Sequence, residues 1–493
     1  LEDPKMTKKI VKRGVTELVT PGVSFNDQVL DTKKNNFLCS VHFGKNRTGI
    51  SFLDVSTGEF LLAQGTNEYV EKLIQGFGPT EIIYNKKNAS DFVALLGNGY
   101  YSFRLEDWIF SEEYAIESLN KQFGTNTLKG FGIEALNEGI ISAGAAIHYL
   151  SENQHDRLRH ITAISRIEEE KYVWLDRFTI RNLELVSSPH ENATTLIDVL
   201  DRTKTPMGGR MMKRWTVLPL KDLKPILDRL EAVEALHKND EVGASLGDSL
   251  CQINDLERLI SKVAVGKINP KEVVQLKRTL HQMGPIKELI GRQKNNVLSR
   301  VAEQIDTCEG LIKMIDQMLH EDPALMISKG QVIADGFNTE LDQLREIAFS
   351  GKDYLQGIQE RESERTGITS LKIAFNNVFG YYIEVRNTHK DKVPEEWVRK
   401  QTLVNAERYI TEELKEYEAK ILGAEEKIHV LESKLYHDLV IGMTDYTQPI
   451  QYNAFLIAQL DCFLSFAEIA TLNNYAKPEV NESYTIDIKN GRH

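Results

Sequence analysis

The segment EELKEYEAKILGAEEKIHVLESKL at residues 412–435 has an apolar residue at every third or fourth position. Steps of three and four residues keep these side chains on one stripe of an α-helix, and the stripe continues over three heptads. Such a stripe is typical of a seam between two long helices. The seam residues are Leu414, Tyr417, Ile421, Ala424, Ile428, Leu431 and Leu435.

A second helical arm lies upstream, where apolar residues follow a similar pattern that Gly351 interrupts. Between the arms, residues 371–385 alternate in the manner of β-strands. An arm of some thirty residues would extend about 45 Å, because an α-helix rises 1.5 Å per residue. The sequence therefore predicts an antiparallel helical stalk that carries a β-rich tip at residues 368–410. The apolar positions of the upstream arm are Leu341, Leu344, Ala348, Leu355 and Ile358.

The first part of the chain predicts a different kind of domain. Three apolar runs separated by short turns are typical of a β-meander, and a helix and further strands follow them. We therefore predict a compact α/β domain at residues 1–127. The strand-like runs are residues 36–43, 49–55, 59–64, 81–84 and 100–103.

Helical periodicity dominates the remainder of the chain, at residues 128–367 and 411–480. The fold class is therefore multidomain α+β, mostly helical. Residues 484–488 alternate again as a strand that has no neighbouring strand to pair with. We interpret residues 481–493 as the beginning of a further domain.

The composition places the chain among ordinary globular proteins, with 41% hydrophobic and 27% charged residues. Neither an uninterrupted run of about 18 apolar residues nor a secretory signal is present in the sequence. The four cysteines lie far apart and form no CxxC or Cys/His cluster, which argues against structural zinc and a disulfide framework. These features predict a protein of the reducing cytoplasm, without a membrane partner or a metal site.

The charge is distributed unevenly along the chain. The whole chain carries −12, but residues 371–410 contain seven basic and five acidic residues, which leaves −14 for the remainder. A weakly basic tip on an acidic protein fits contact with a phosphate backbone. A solvated hairpin of mixed charge would have the same composition, so the charge alone leaves both interpretations open.

Several stretches resemble the MutS family of DNA mismatch-repair proteins, in the family's order and over nearly the whole chain. The longest specific match is LDRTKTPMGGR at residues 200–210. The others include VTPGV at 19–23, GISFLDVSTGE at 49–59, LDRFTIRNLEL at 175–185, FGYYI at 379–383 and RKQTLVNAERY at 399–409.

The resemblance implies a ribonuclease H-like connector at residues 1–127 and a helical lever at 128–367 and 411–480. It also implies a clamp at 368–410 and the start of an ATPase domain at 481–493. The sequence contains no GxxxxGK[ST] loop, so we expect no enzymatic activity and no cofactor in this stretch, with ATP and magnesium bound only by a full-length parent.

The resemblance also implies the partners. They are duplex DNA, a mismatch-repair protein such as MutL through the connector, and a second copy of the full-length parent. The expected location is the bacterial cytoplasm, at the nucleoid. In the clamp, cationic and amide side chains would bind the DNA backbone without reading sequence. We name these residues Arg386, Lys390, Arg399, Lys400, Gln401 and Asn405. For any one of them the alternative is a surface salt bridge, for instance between Arg399 and Glu395.

Two other functions remain open at this point. One is a metal-dependent nuclease on the first domain, built around Asp54 with Glu59 and Asp31 nearby. Two-metal cleavage requires three or more converging acids, and the spacing favours instead an Asp that opens the Ser56–Gly58 turn. The other is a helical scaffold that binds only proteins.

Three local motifs favour structural roles. The Gly208–Lys213 stretch lacks the spacing of a phosphate loop, so we predict a turn leading into a helix, with Arg210, Lys213 and Arg214 on or near its surface. The Phe-Ala-Glu motif at residues 466–468 lies on an apolar helix, where Phe466 would pack. His155 and His160 are five residues apart, about 140° around a helix, and are predicted to be surface residues.

Overall fold

The structure, a computed structural model, describes residues 20–24, 30–152, 158–173, 175–190, 193–376, 380–489 and 491. The described residues fall into two compact units. The first unit comprises those within 1–268, 272–312 and 440–493, and the second comprises those within 269–271 and 313–439.

The strands are β1 (Leu38–Phe43), β2 (Thr48–Asp54), β3 (Glu59–Gly65), β4 (Glu81–Asn85), β5 (Ser102–Leu105), β6 (Ser165–Arg166), β7 (Lys372–Asn376), β8 (Gly380–Arg386), β9 (Val398–Thr402) and β10 (Ala406–Ile410). The α-helices up to residue 251 are α1 (Asn67–Phe77), α2 (Ala89–Leu96), α3 (Glu112–Phe123), α4 (Asn137–Glu152), α5 (Arg177–Asn182), α6 (Leu196–Leu200), α7 (Pro206–Val217), α8 (Leu223–His237) and α9 (Asp240–Cys251). The later ones are α10 (Leu256–Ala264), α11 (Pro270–His281), α12 (Met283–Gly291), α13 (Asn296–Gln304), α14 (Glu309–Met318), α15 (Thr339–Thr366), α16 (Glu412–Met443) and α17 (Thr447–Asn473).

The first unit contains a six-stranded mixed sheet of order β5-β4-β1-β2-β3-β6. Strands β1, β2 and β3 are antiparallel neighbours, which confirms the predicted meander, while β4 and β5 add in parallel beyond β1. In the β2–β3 turn, Gly58 has φ 79° and its N–H donates to the Asp54 carbonyl over 2.8 Å. Glycine adopts this left-handed conformation without a Cβ clash.

Helix α4 packs against this sheet. The Ser142 hydroxyl donates to the Ser40 carbonyl over 2.7 Å and lies 3.1 Å from the Ser51 hydroxyl, so α4 covers β1 and β2. All residues from 139 to 150 are buried, and β6 extends the sheet further along the chain. The predicted boundary between residues 127 and 128 is therefore too early. A helix that is apolar on every side gives no signal of which neighbour covers it.

The helical part of the first unit is built around α17, against which α7, α8 and α10 pack. Residues 412–473 form one helical run that is long and apolar enough to cross a membrane, but 61% of its most apolar window is buried within the fold. Polar residues such as Asp461 interrupt this run, which is why a search for uninterrupted apolar residues misses it. The burial is that of a core helix in a globular protein.

The start of α7 is fixed by a buried carboxylate of α17. Asp461 accepts hydrogen bonds from the backbone N–H groups of Lys204 and Thr205, over 2.9 and 2.7 Å, and from the Thr205 hydroxyl over 2.7 Å. Burial raises the pKa of Asp461, an effect that these hydrogen bonds oppose. A Cβ at Gly208 would collide with this carboxylate. Glycine therefore allows close approach of two helices here.

Arg210 of α7 is 3% exposed, which corrects the prediction that it lies on or near the surface. Its guanidinium is 2.7 Å from both Asp255 Oδ1 and Glu257 Oε2, and it donates to the Thr32 carbonyl over 2.7 Å. Burial by itself would lower the pKa of Arg210, but the two carboxylates raise it. We call these four residues the Arg210 cluster.

The second unit contains the predicted stalk. Arg345 of α15 pairs with Glu432 of α16 over 2.5 Å, and the Tyr354 and Tyr417 rings stack 3.8 Å apart. The residue further along α15, Tyr354, contacts the residue nearer the start of α16, Tyr417. The two helices are therefore antiparallel. The buried seam residues are Leu341, Ala348, Leu355, Ile358, Leu414, Ile421 and Ala424, and the half-buried ones are Leu344, Tyr417, Ile428, Leu431 and Leu435.

The strand predicted at residues 484–488 is not formed. This segment has no regular secondary structure, and Tyr484, Ile486 and Ile488 are exposed. Alternation predicts which side chains would share a face, but a strand also requires a hydrogen-bonded neighbouring strand. Among the described residues, no strand pairs with residues 484–488.

Candidate nucleic-acid interface

The stalk carries a four-stranded antiparallel sheet of order β7-β8-β10-β9, in agreement with the predicted β-rich tip. One face of this sheet packs on the stalk helices. The buried residues of this shared core are Leu355, Ile358, Ile368, Leu371, Ile383, Val385, Trp397, Tyr409, Leu414 and Ile421.

A glycine and a carboxylate fix the sheet to α16. Gly380 has φ 79°, and a Cβ there would collide with the Glu418 carboxylate. This carboxylate accepts the Tyr381 N–H over 3.0 Å. The first residue of β8 must therefore lack a side chain, because both its backbone conformation and its surroundings exclude one.

Glu407 of β10 is buried, 3% exposed, on the face that packs on the stalk. Lys390 Nζ and Arg399 Nη1 each lie 3.3 Å from its Oε1, and the Tyr409 hydroxyl donates to its Oε2. The hydrogen bond from Tyr409 lowers the pKa of Glu407, and Lys390 and Arg399 lower it further against the opposing effect of burial. We call these four residues the Glu407 cluster.

Arg408, the next residue along β10, points to the opposite face, because side chains alternate along a strand. Its guanidinium pairs with Glu384 over 3.2 Å and donates to Gln401 Oε1 over 2.9 Å. It also lies 4.3 Å from the centre of the Tyr382 ring. Three partners hold this cation, and Gln401 is one of them.

Arg386, Lys400 and Asn405 are exposed, and within the described residues their side chains make no ion pair or hydrogen bond. Arg386 and Asn405 lie at the same end of the sheet, where the Asn387 N–H donates to the Asn405 carbonyl over 3.2 Å. Arg408 pairs with Gln401 and Tyr409 with Arg399, so Lys400 is the extra residue of a β-bulge on the edge strand β9.

The six residues named from the sequence therefore differ in their surroundings. Lys390 and Arg399 both pair with Glu407, whereas the salt bridge given as an example of the alternative was Arg399 with Glu395. Gln401 accepts a hydrogen bond from Arg408. Glu407 and Arg408 were missed by the sequence reasoning. Strand alternation would have placed Glu407 beside Tyr409 on the inner face, but no local signal indicates the approach of Lys390. We call the six named residues the tip surface.

Comparison with known proteins places this geometry in a family. The model for MutS domain III matches residues 178–467, and the model for MutS domain II matches residues 36–162. The chain belongs to the MutS family. The stalk and the tip surface lie inside the domain III match. The domain II match includes α4, in agreement with the later boundary of the sheet domain.

Curated members of the MutS family align with the whole chain. The DNA mismatch repair protein MutS of Flavobacterium johnsoniae is 59% identical over 493 residues, as is that of Christiangramia forsetii, and that of Bacteroides thetaiotaomicron is 56% identical. Each alignment covers 100% of this chain and 57% of the relative. The chain therefore spans a little over half the length of these MutS relatives.

The nuclease alternative is not supported by the surroundings of Asp54 in this MutS-family chain. Asp54 is fully buried, and its Oδ1 accepts from the Ser56 N–H and hydroxyl over 2.9 and 2.7 Å. Its Oδ2 accepts from the Asn35 amide and the Asn36 N–H over 3.0 and 3.1 Å. Oδ1 thus stabilises the Ser56–Gly58 turn, and Oδ2 holds the segment before β1. In the described part of the chain, no group of three His, Cys, Asp or Glu side chains could hold a metal ion.

The remaining motifs have structural surroundings. Phe466 packs near Trp215, with ring centres 6.3 Å apart, as predicted. His160 is fully buried with its Nε2 2.8 Å from the Val55 carbonyl, so the prediction of a surface residue is wrong. The chain approaches the sheet domain at this point, which helical spacing does not reveal. His155, residues 19 and 379, and the last two residues lie outside the described residues.

Proposed function

We propose that this chain takes part in DNA mismatch repair and holds duplex DNA by its phosphate backbone at the tip surface. The observation that carries the proposal is the pair of exposed cations Arg386 and Lys400, with the Asn405 amide, on a small sheet at the end of the stalk. Neither cation makes an ion pair with any residue that the structure describes. Cations and amides bind phosphate oxygens whatever the base sequence. The MutS relatives, which are DNA mismatch repair proteins by name, support a role in this process.

We further propose the roles of the parts. The six-stranded domain would be the ribonuclease H-like connector, since its order of three antiparallel strands followed by two parallel ones fits that fold. The α-helices from α5 to α17 would form the lever, and residues 368–410 the clamp. The lever and connector would transmit conformational change between DNA and an ATPase domain in full-length relatives.

ATP and magnesium are proposed only for full-length relatives, because the nearest Gly-containing basic stretch of this chain does not fit a nucleotide. Gly208 and Gly209 lie in the first turn of α7, where Asp461 occupies the space beside Gly208. Arg210 is engaged by two carboxylates. MutL as a partner of the connector, a homodimer of the full-length protein and a cytoplasmic, nucleoid-associated location complete the proposal.

The test is a DNA-binding measurement on the purified chain, using fluorescence anisotropy of a labelled duplex. If three or four phosphates are neutralised, log K should fall against log salt with a slope of about −3. Arg386→Glu with Lys400→Glu should weaken binding equally for matched and mismatched duplexes and reduce the slope to about −1. Binding that persists unchanged in this variant would contradict the proposal.

The matched control is Lys121→Glu with Lys294→Glu, which changes the charge equally in the first unit. Both lysines are exposed, and neither makes an ion pair within the described residues. Lys171 and Lys204 are less suitable, because they pair with Glu168 and Glu468 over 2.9 and 3.1 Å. Equal weakening by both double variants would show an effect of bulk charge and would reject the tip surface as the contact.

A further inference from the structure

One buried carboxylate holds two of the exposed cations of the tip surface. Glu407 is buried, whereas the side chains of Lys390 and Arg399 are 53% and 56% exposed. Because both nitrogens contact the same oxygen over 3.3 Å, they are no more than twice that distance apart. Two cationic donors at this separation can contact one phosphate group together.

The carboxylate and a DNA phosphate would use the same donors. Lys390 and Arg399 have no further ion pair among the described residues, so any phosphate that they bind must share them with Glu407. Glu407 remains ionised at neutral pH, since the Tyr409 hydroxyl and both cations lower its pKa. The three charged side chains together present one net positive charge to a duplex instead of two.

The opposite face of the sheet offers an internal comparison. Glu384 and Arg408 form an ion pair there, but Arg408 also donates to Gln401 and lies over the Tyr382 ring. Removal of the Glu384 charge would leave Arg408 held by these two neighbours. Removal of the Glu407 charge would leave Lys390 and Arg399 without any described counter-ion.

We propose that Glu407 is an internal competitor of DNA phosphate, which holds Lys390 and Arg399 in the free chain and lowers its affinity for duplex DNA. The inference rests on the proposed function, because it takes the tip surface as the DNA contact. Glu407 would thus oppose DNA binding. Of the six tip-surface residues, it would hold Lys390 and Arg399 in the free chain.

The test is Glu407→Gln, which keeps the shape and an oxygen for the Tyr409 hydroxyl but removes the charge. One more net positive charge on the tip surface should steepen the slope of log K against log salt by about 1. The gain in affinity over the unchanged chain should therefore be about fourfold larger at 50 mM than at 200 mM salt. Circular dichroism and thermal unfolding check that the variant is folded.

Two further variants distinguish competition from bulk charge. Glu384→Gln removes the same charge from the opposite face and should change affinity and slope much less. Glu407→Gln placed in a Lys390→Ala, Arg399→Ala background should give no gain, because the donors are gone. A gain that survives in that background, or an equal gain from Glu384→Gln, would overturn the proposal.

The measurements distinguish rejection of the competitor role of Glu407 from rejection of DNA binding at the tip surface. If the unchanged chain binds duplex DNA through Arg386 and Lys400 but Glu407→Gln binds no more tightly, only the competitor role is rejected. If neither the chain nor Glu407→Gln binds duplex DNA at 50 mM salt, both proposals are rejected. Tighter, more salt-sensitive binding by Glu407→Gln supports both.

Discussion

The Arg210 cluster and the Glu407 cluster are both ion-pair networks around one buried charged side chain, and they differ in which charge is buried. In the first, the cation is buried, and two carboxylates and a carbonyl surround it. In the second, the anion is buried, and both of its cations are about half exposed to solvent. A buried cation with all its donors engaged stabilises the fold, whereas exposed cations around a buried anion remain accessible to another anion.

The largest expected effect is the loss of the buried cation. Arg210→Met should destabilise the first unit by about 3–5 kcal/mol, because Asp255 and Glu257 would keep their charges without a partner. Arg399→Met removes a half-exposed cation and should cost less than about 1 kcal/mol. Chemical denaturation followed by circular dichroism measures both. If the two substitutions lowered the free energy of unfolding by similar amounts, the proposed difference between the clusters would be wrong.

A smaller effect is expected where the tip joins the stalk. Gly380→Ala should destabilise the second unit by about 1–3 kcal/mol, since it forces a side chain into a left-handed conformation beside Glu418. The control is Gly357→Ala in α15, where a Cβ meets no atom within 4 Å. That change should stabilise the helix by up to about 1 kcal/mol. Thermal unfolding of both variants gives the comparison, and a neutral Gly380→Ala would contradict it.

The smallest effect is the pH dependence of the Glu407 cluster. The pKa of Glu407 is lowered from its ordinary value of 4.5 by the Tyr409 hydroxyl and the two cations. A lowered pKa means that the carboxylate stabilises the fold above about pH 4.5, and that this contribution disappears as the pH falls through the lowered value. The difference in Tm between the chain and Glu407→Gln should therefore shrink on acidification. A difference that grows at low pH would reverse the assigned sign.

The stalk and the tip could be predicted because their signals are local. The spacing of Leu414, Ile421 and Ala424 depends only on helical geometry, and the alternation after residue 371 depends only on the geometry of a strand. The meander was predictable for the same reason, since the Ser56–Gly58 turn joins strands that are neighbours in sequence. The seam, the tip and the first sheet all formed where these patterns indicated.

The features that could not be predicted depend on contacts between residues that are distant in sequence. Helix α4 joins the sheet through Ser142 and Ser40, which are about a hundred residues apart in sequence. Arg210 follows two glycines and has the appearance of a surface cation, but it pairs with Asp255 and Glu257 at the start of α10. Lys390 of the short 3-10 helix Asn387–Lys392 likewise pairs with Glu407 of a separate strand. Periodicity states which face is apolar and leaves open what covers it.

The bulge at Lys400 has a consequence for association between copies of the chain. An edge strand presents unpaired backbone groups to which a strand of another molecule can add, and charged side chains and bulges oppose such pairing. In β9, Arg399 and Lys400 supply the charge at the point where the bulge disturbs the register. Replacing the charged residues of the tip surface by apolar ones would therefore remove phosphate contacts. It would also leave an edge strand that can pair with another copy of the chain. Charge reversal keeps the edge protected, which makes glutamate the safer substitution for solubility.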